Sequence, residues 1–264
     1  AGDKLKTGVL FPGQAIATDQ YETRINGRVP GFRGSTPLDT MYRGGTIFVD
    51  ICTGKVWAYH QVSLSANDTI RSKMTFERDC HTYGVGVQAY HGDNGIYNSA
   101  EFLRELDEKG QGLQLSGVGA HHQNGVAELP IKIVMDRART LMLHADIHWP
   151  DARDEQLWPL AVDYSLHLWN NTPKEGVGLL PEELFARSKG DGAPLLNSRF
   201  WGCPTYVLDP KLQDGKKLPK WEPRSRRGQF VGASTRHSST VGLISQPDHG
   251  LRLAPVSCCV RRLV

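Results

Sequence analysis

Two short stretches decide the fold of this 264-residue chain: AYHGDNG at residues 89–95 and QNGVAELP at residues 123–130. The first completes a loosely alternating run over residues 85–90, which predicts a strand that ends in a tight turn. The second opens a long helix, because apolar residues recur at steps of three and four positions over residues 127–145. An acid therefore ends a strand in the first stretch, and another opens a helix in the second.

These two acids, Asp93 and Glu128, stand 35 positions apart, which alone proves nothing because 28 of the 264 residues are acidic. Their local contexts are more informative. The pattern formed by HGDNG at residues 91–95, Glu101-Phe102 and HQNGVAE at residues 122–128 resembles the catalytic core of copia-type LTR retrotransposon integrases. The resemblance extends from about Gly13 to about Gly250.

The resemblance implies an α/β chain with an RNase H-like mixed sheet flanked by helices, followed by a small SH3-like β region. It divides the chain into a catalytic core at residues 1–190 and a basic SH3-like region at residues 195–264, whose last residues are atypical. The order of strand, hairpin, helix, strand and helix along the sequence suits such a mixed α/β core.

The resemblance also implies a catalytic triad of Asp, Asp and Glu. Asp93 and Glu128 match its last two members, and Asp19, at the end of the first expected strand, matches the first. Strand transfer needs charge stabilisation on the attacking and leaving oxygens, so these three residues are expected to hold two Mg²⁺ or Mn²⁺ ions. Asp50, in the second strand, is the rival first ligand.

Each carboxylate also has an ordinary structural interpretation. Asp93 with the two residues after it forms a common turn sequence, Asp19 could cap a turn, and Glu128 could lie on a solvated helix face.

Further residues are expected to bind nucleic acid. Lys132 lies one helical turn after Glu128 and could hold a phosphate, or could pair with Glu128 itself. The polar loop before the helix is suited to bend around the end of a DNA strand. The basic C-terminal cluster combines phosphate neutralisation with a surface for base stacking. The alternative interpretation of the cluster is an ordinary solvated basic loop. The expected contacts are His122, Gln123 and Asn124 in the loop, and Lys217, Lys220, Trp221, Arg224, Arg226 and Arg227, with Lys211 and Lys216 beside them, in the cluster.

Charge is unevenly distributed along the chain, although the net charge is only +3. Residues 199–264 hold 12 Lys and Arg against 4 acids, whereas residues 1–198 hold 19 against 24. A polyanion is therefore expected to be drawn to the basic end. The resemblance implies that this partner is DNA, both the element's cDNA ends and the target, and that the chain forms homo-oligomers. Five cysteines without a Cys-x-x-Cys pair favour a reducing compartment. The absence of a long apolar run or signal peptide predicts no membrane partner and no secretion, and the missing initial Met suggests a fragment. The resemblance implies action in the nucleus after assembly in the cytoplasm.

The remaining elements are predicted from periodicity and turn residues. Asn67 or Ser65 should cap the first helix, with Ile70 and Met74 facing inward, and Asn98 should form a capping box with Glu101. The expected elements are a strand over residues 8–19, a long loop over 21–45, a hairpin of 46–51 and 56–62, helices over 67–80 and 154–170, a strand over 113–115, a helix opening at Pro181, and short strands at 229–232 and 240–244.

The sequence departs from the family pattern at Leu129-Pro130, because a proline inside a helix removes a hydrogen bond and clashes with the preceding turn. We therefore expect weak or absent activity. The first hypothesis is an integrase core that inserts retrotransposon cDNA into target DNA, and the alternative is a non-catalytic nucleic-acid-binding remnant. A nuclease on the same fold would hydrolyse DNA without joining it.

Overall fold

The structure, a computed structural model, describes residues 11–29, 38–116, 125–190, 195, 198–209, 212, 217–234, 241–246 and 250–255. Within these residues the chain forms two sheets and five α-helices. The first sheet contains β1 (Ile16–Gly27), β2 (Tyr42–Asp50), β3 (Val56–Gln61), β4 (Ala89–Gly92) and β5 (Gly112–Leu115). The helices are α1 (Ala66–Thr82), α2 (Ala100–Glu108), α3 (Gly125–His148), α4 (Trp158–Asn170) and α5 (Pro181–Ala186).

The first sheet is mixed, with strand order β3-β2-β1-β4-β5. β1, β2 and β3 pair antiparallel, whereas β4 and β5 run parallel to β1. Helices cover both faces. Phe48, Phe76 and Phe102 belong to the core on the α1 and α2 side, and Ile47, Val134 and Leu160 belong to the core on the α3 and α4 side. The mixed sheet flanked by helices is the architecture expected from the sequence.

The second sheet is a four-stranded antiparallel one with order β6-β7-β8-β9. Its strands are β6 (Pro204–Leu208), β7 (Ser225–Ala233), β8 (Val241–Gln246) and β9 (Gly250–Pro255). It packs on α3 and α4, because Phe230 of β7 lies in the same core as Tyr164, at 5.6 Å between ring centroids. The polypeptide thus places a small β structure against the helical side of the first sheet.

Several local expectations are wrong, most clearly the long loop after Asp19. β1 continues to Gly27 and pairs with β2 over Tyr21 and Glu22. Tyr21 is buried, and a Cβ at Gly27 would come 2.4 Å from Pro159, so the glycine permits a close approach to α4. Tertiary pairing here overrides a composition that is typical of loops.

Errors also occur at the ends and faces of helices. Ser65 caps α1, as one of the two expected caps, but Met74 is 51% exposed and Phe76 occupies the core instead. The expected capping box of Asn98 and Glu101 is absent because Ser99 caps α2, accepting a hydrogen bond from the Phe102 amide at 3.3 Å.

Two further elements begin later than expected. The strand before Asp93 starts at Ala89 rather than at residue 85. A short 3₁₀ turn, Glu155–Leu157, precedes α4. Within the described part of the chain, no helix combines the length and apolarity that a membrane crossing requires.

Candidate active site

Asp19 and Asp93 are brought together by strand register. β1 and β4 pair in parallel, with Ile16 beside Tyr90 and Ala17 beside His91. The same register continued by two residues sets Asp19 beside Asp93, about one strand spacing of 5 Å apart between backbones. Asp93 therefore follows the end of β4, and Asp19 lies beside it within β1.

The alternation of side chains along β1 orients Asp19 toward α3. Ala17 and Tyr21 belong to the core on the α3 and α4 side. Thr18 faces the opposite layer, where its hydroxyl donates to Ile47 O and contacts the Tyr97 hydroxyl, both at 3.0 Å. Because strand residues alternate between faces, Asp19 projects between Ala17 and Tyr21.

Glu128 lies in the first turn of α3, and its side chain is exposed. Its charge reaches Asp19. Burial raises the pKa of Asp19 from 3.8 to about 6, a hydrogen bond from the Gln20 amide lowers it, and the charges of Asp93 and Glu128 raise it. The three carboxylates of the sequence prediction thus lie close enough for the charges of Asp93 and Glu128 to disfavour ionisation of Asp19.

The donor chemistry of this cluster suits Mg²⁺, which prefers hard carboxylate oxygens from a few residues. A bound cation would also offset the burial and the repulsion by Asp93 and Glu128 that together raise the pKa of Asp19. Nevertheless, across the described ranges, no three His, Cys, Asp or Glu side chains are gathered into a group that could hold a metal ion. The acids fit the metal in type and charge, while their present spacing is wider than a ligand shell.

Asp50, the rival first ligand, has a different role. Its side chain is fully buried. One oxygen accepts from the Gly13 amide at 2.8 Å, and the other accepts from the Thr53 amide at 2.8 Å and the Thr53 hydroxyl at 2.7 Å. This carboxylate closes the β2–β3 turn and anchors the segment before β1. Both of its oxygens accept hydrogen bonds that stabilise the fold.

Pro130 lies within α3, five residues after the first helical residue, Gly125. This position is beyond the first turn, where a proline is tolerated. The proline cannot donate to the carbonyl four residues before it, so the turn that carries Glu128 lacks one of its helical hydrogen bonds.

The expected nucleic-acid contacts are only partly described. Lys132 is exposed, and among the described residues no ion pair joins it to Glu128. His122, Gln123 and Asn124, and also Lys211 and Lys216, lie outside the described residues. Lys132 therefore stays a predicted phosphate contact, as do the loop residues.

The basic cluster of the C-terminal region is divided between free and paired side chains. Trp221 is 90% exposed, with the Lys220 ammonium 5.5 Å from its ring centroid, and Lys217 and Arg224 are exposed. Arg226 instead bonds Asp209 at 2.8 Å. The Arg227 guanidinium stacks on Trp149, 4.3 Å from its ring centroid.

Sequence reasoning missed His91, two residues before Asp93. Its strand partner Ala17 faces α3, so His91 faces the same layer. Its Nε2 is buried without a hydrogen-bond partner in the described part of the molecule, and burial lowers its pKa. The alternation of the strand before Asp93 is the signal that could have placed it beside the acids.

Asp19 should make the fold less stable in neutral than in acidic solution. Its folded pKa of about 6 lies above the unfolded value of about 3.9, so folding disfavours the ionised form. The cost is absent below about pH 4, grows as the pH rises through about 6, and is complete above that. We expect Asp19→Asn to raise the free energy of unfolding by about 1–2 kcal/mol at pH 8, allowing for solvent screening, and to change nothing near pH 4. Urea unfolding in EDTA at both pH values measures this, and an equal effect at both would contradict it.

Comparison with known proteins places the fold. No family model matches the chain, and no curated protein sequence matches it. A chain of the simian T-cell lymphotropic virus intasome in complex with PP2A regulatory subunit B56 gamma superposes with a TM-score of 0.50 and 16% identity, covering 96% of this chain and 81% of that one.

Two retroviral integrase catalytic cores each match about two thirds of the chain. The HTLV-2 core in complex with magnesium, in its dimeric form, has a TM-score of 0.47 and 15% identity, covering 67% of this chain and 98% of that one. The BIV core has a TM-score of 0.45 and 14% identity, covering 66% and 95%. The five-stranded mixed sheet with its flanking helices matches the RNase H-like fold, and the small antiparallel sheet after it is compatible with an SH3-like region.

Proposed function

We propose that this chain is the catalytic core of a copia-type integrase, which joins the ends of retrotransposon cDNA to target DNA by divalent-metal-dependent strand transfer. One observation carries the proposal. The pairing of β1 with β4 sets Asp19 beside Asp93, which follows the end of β4, and the charges of Asp93 and Glu128 both act on Asp19. The proposal divides the chain into a core at residues 1–190 and a basic SH3-like region at residues 195–264.

In this proposal Asp19, Asp93 and Glu128 would hold two Mg²⁺ or Mn²⁺ ions. When bound, the ions would stabilise charge on the attacking and leaving oxygens of the phosphodiester. Asp19 is held by the sheet and by the Gln20 amide, and the Asp93 carboxylate is oriented by the Gly95 amide at 3.1 Å. Glu128 comes from a separate helix, and Lys132 on the next turn would bind a neighbouring phosphate.

In the proposed function the chain acts as a homo-oligomer in the nucleus. The intasome and the dimeric HTLV-2 core among the structural neighbours favour a homo-oligomer. Target DNA as substrate implies nuclear action, after assembly of the element in the cytoplasm.

A strand-transfer assay tests the function. Labelled blunt duplexes are incubated with the chain, target DNA and Mg²⁺ or Mn²⁺, and Glu128→Gln is the matched variant because it keeps the shape of the side chain. We expect joined products from the unmodified chain and none from the variant. Products of equal yield from both would overturn the assignment of Glu128, and nicked but unjoined DNA would indicate a hydrolytic nuclease.

The second candidate is a non-catalytic nucleic-acid-binding remnant. Pro130 in the interior of α3 favours it, because the helix that carries Glu128 is weakened next to the site. The exposed basic residues around Trp221 would then bind DNA without turnover. DNA binding that weakens steeply with salt, together with no metal-dependent product, is the expected result for this candidate.

Replacement of Pro130 should improve the active site. Pro130→Ala restores a helical hydrogen bond, a gain of about 3 kcal/mol in a helix interior, but loses some buried contact of the ring, about 1–2 kcal/mol. We expect α3 to be more stable and Mg²⁺-dependent strand transfer to rise severalfold. Leu129→Ala is the matched control, since Leu129 is 60% exposed and precedes the proline. An unchanged rate in Pro130→Ala would place any defect elsewhere.

A further inference from the structure

Helix α3 has a second apolar row on the side that faces away from the core. Leu129, Leu143 and Ile147 are 60%, 48% and 75% exposed. At about 100° per residue, Ile147 follows Leu129 after about five full turns at the same angle, and Leu143 lies about 40° from both. The buried residues Val134 and Ala138 lie about 140° and about 180° from Leu129 on the same scale. The row therefore lies on the outer side of the helix.

The row continues through the middle of the helix with the spacing of a coiled-coil seam. Its positions follow one another at alternating steps of four and three residues, which is the repeat that keeps one side of a helix against a partner helix. Apolar residues occupy the two positions at each end, and polar residues occupy the two in the centre. This outer seam consists of Leu129, Ile133, Asp136, Thr140, Leu143 and Ile147.

The outer seam is complementary to itself when two copies of α3 run antiparallel. In a pair centred on Ala138, one register brings apolar residues together in the outer layers and the two polar positions together in the central layers. The Thr140 hydroxyl donates to Asp136 O of its own helix at 2.8 Å, so it brings no unsatisfied donor into the seam. The layers are Leu129 with the partner's Ile147, Ile133 with the partner's Leu143, and Asp136 with the partner's Thr140.

The charges beside the outer seam favour the same orientation. Asp136 and Arg139 are exposed, and neither side chain forms an ion pair within the part of the chain that the structure describes. In the antiparallel pair, Arg139 comes within one residue of the layer of the partner's Asp136, so an ion pair can form on each side of the centre. A parallel pair would instead set the two Asp136 carboxylates opposite each other, where like charges repel. Arg137, on the other flank, is directed back toward α4, with its guanidinium 5.4 Å from the Trp169 ring centroid.

These observations identify a second copy of this chain as the occupant of the outer seam. Resting on the homo-oligomer of the proposed function, we propose that two copies pair through their α3 helices in the antiparallel orientation, with Asp136 of each copy bonded to Arg139 of the other. The seam extends over only about 27 Å of helix, so the interface is at the small end for stable complexes, and the expected dissociation constant is micromolar. Glu128 lies about 100° around the helix from Leu129, so the second copy lies beside the candidate active site and not across it.

Sedimentation equilibrium of the full chain tests the pairing. The chain is measured at about 1 to about 200 µM in EDTA without DNA, so that neither metal nor nucleic acid contributes to association. We expect a monomer–dimer equilibrium for the unmodified chain. The double variant Leu143→Asp, Ile147→Asp should weaken dimerisation at least about a hundredfold, because it places charges in the apolar layers. Met74→Asp is the matched control, since Met74 is 51% exposed on α1, and it should change nothing.

Charge reversal tests which residues meet across the interface. Asp136→Arg and Arg139→Asp should each weaken dimerisation roughly tenfold, because each homodimer then holds like charges at both contacts. An equal mixture of the two variants should form a heterodimer about as tight as the unmodified dimer, since each contact again joins an acid to a cation. A contact within one chain cannot give this rescue. A heterodimer much tighter than the unmodified dimer would indicate parallel helices and overturn the arrangement.

Three other results would also overturn the pairing: a chain that stays monomeric over the whole concentration range, a dimer that the Leu143→Asp, Ile147→Asp variant leaves intact, or an equal loss in Met74→Asp. Circular dichroism and urea unfolding of each variant verify that the fold is retained. The outcome is independent of catalysis. Joined DNA from a chain that does not dimerise would reject the outer seam and leave the proposed reaction in place, whereas a dimer with the expected variants but no joined product would do the reverse.

Discussion

The Asp19→Asn protein will join DNA ends at least about a hundredfold more slowly than the unmodified chain, while being the more stable of the two at pH 8. The loss follows from the proposed role of Asp19 as a metal ligand, since an amide oxygen binds Mg²⁺ less strongly than a carboxylate. The gain in stability follows from the burial of Asp19 and from its repulsion by Asp93 and Glu128, which together raise its pKa to about 6. A residue that destabilises its own fold is expected at a functional site.

Asp50→Asn is the matched control, because it makes the same chemical change on the same sheet. The NH2 group of the new asparagine cannot accept a hydrogen bond, so at least one of the three donors from Gly13 and Thr53 would lose its partner. We therefore expect the free energy of unfolding to fall by about 2–3 kcal/mol. Its strand-transfer rate, measured well below its melting temperature and normalised to folded protein, should stay within about threefold of the unmodified chain.

The two variants separate a ligand from a structural carboxylate. Joining assays with Mg²⁺ and with Mn²⁺ report the rates, and urea titrations report stability. The proposed triad would be contradicted if Asp50→Asn were fully stable but inactive while Asp19→Asn remained active. Asp50 would then be the metal ligand and Asp19 the structural carboxylate.

The sequence was a good guide where local pattern and chemistry coincide. The strand end before Asp93, the helix that begins just before Glu128 and the β2–β3 hairpin all follow from periodicity and turn residues. The architecture of the mixed sheet follows from the order of these elements. Whether the three acids bind metal stays a prediction, since strand register sets Asp19 beside Asp93 but does not close a ligand shell.

Other features could not be predicted because they arise from distant parts of the chain. Residues 21–27 form a strand only because β2 pairs with them and α4 packs on Gly27. The stacking of Arg227 on Trp149 joins residues 78 positions apart, so a basic loop in the sequence becomes a placed guanidinium in the fold. The periodicity of the sequence does not reveal such pairings.

Lys55 is another such residue, and it joins α5 to the first sheet. Its side chain is only 3% exposed, although the sequence places it in an ordinary polar turn. The ammonium lies 4.8, 3.9 and 5.0 Å from the ring centroids of Trp57, Tyr83 and Phe185 and pairs with Glu182 at 2.9 Å. Burial lowers the pKa of Lys55, and the charge of Glu182 raises it, so the buried ammonium depends on this partner.

The two partners of this pair are unequally buried, which predicts unequal costs of removing them. Glu182 is 31% exposed and also accepts a hydrogen bond from the Tyr83 hydroxyl at 2.7 Å, so it can remain ionised alone. Lys55 cannot be solvated in the same way. We therefore expect Lys55→Met to change the unfolding free energy by less than about 1 kcal/mol, and Glu182→Gln to lower it by about 2–3 kcal/mol.

The Glu182→Gln defect should also depend on pH. Without its partner the pKa of Lys55 falls further below the unfolded value of about 10.4, so the folded state disfavours the charged form. The defect is complete below the folded pKa, where Lys55 is charged in both states, and shrinks as the pH rises toward about 10. Urea titrations at pH 6, 8 and 9.5 follow it, with the double variant Lys55→Met, Glu182→Gln as the control. The double variant should match Lys55→Met at every pH, because no buried charge remains to be compensated. Equal losses in the two single variants, or a Glu182→Gln defect that is constant with pH, would mean that Glu182 acts through packing rather than through the charge of Lys55.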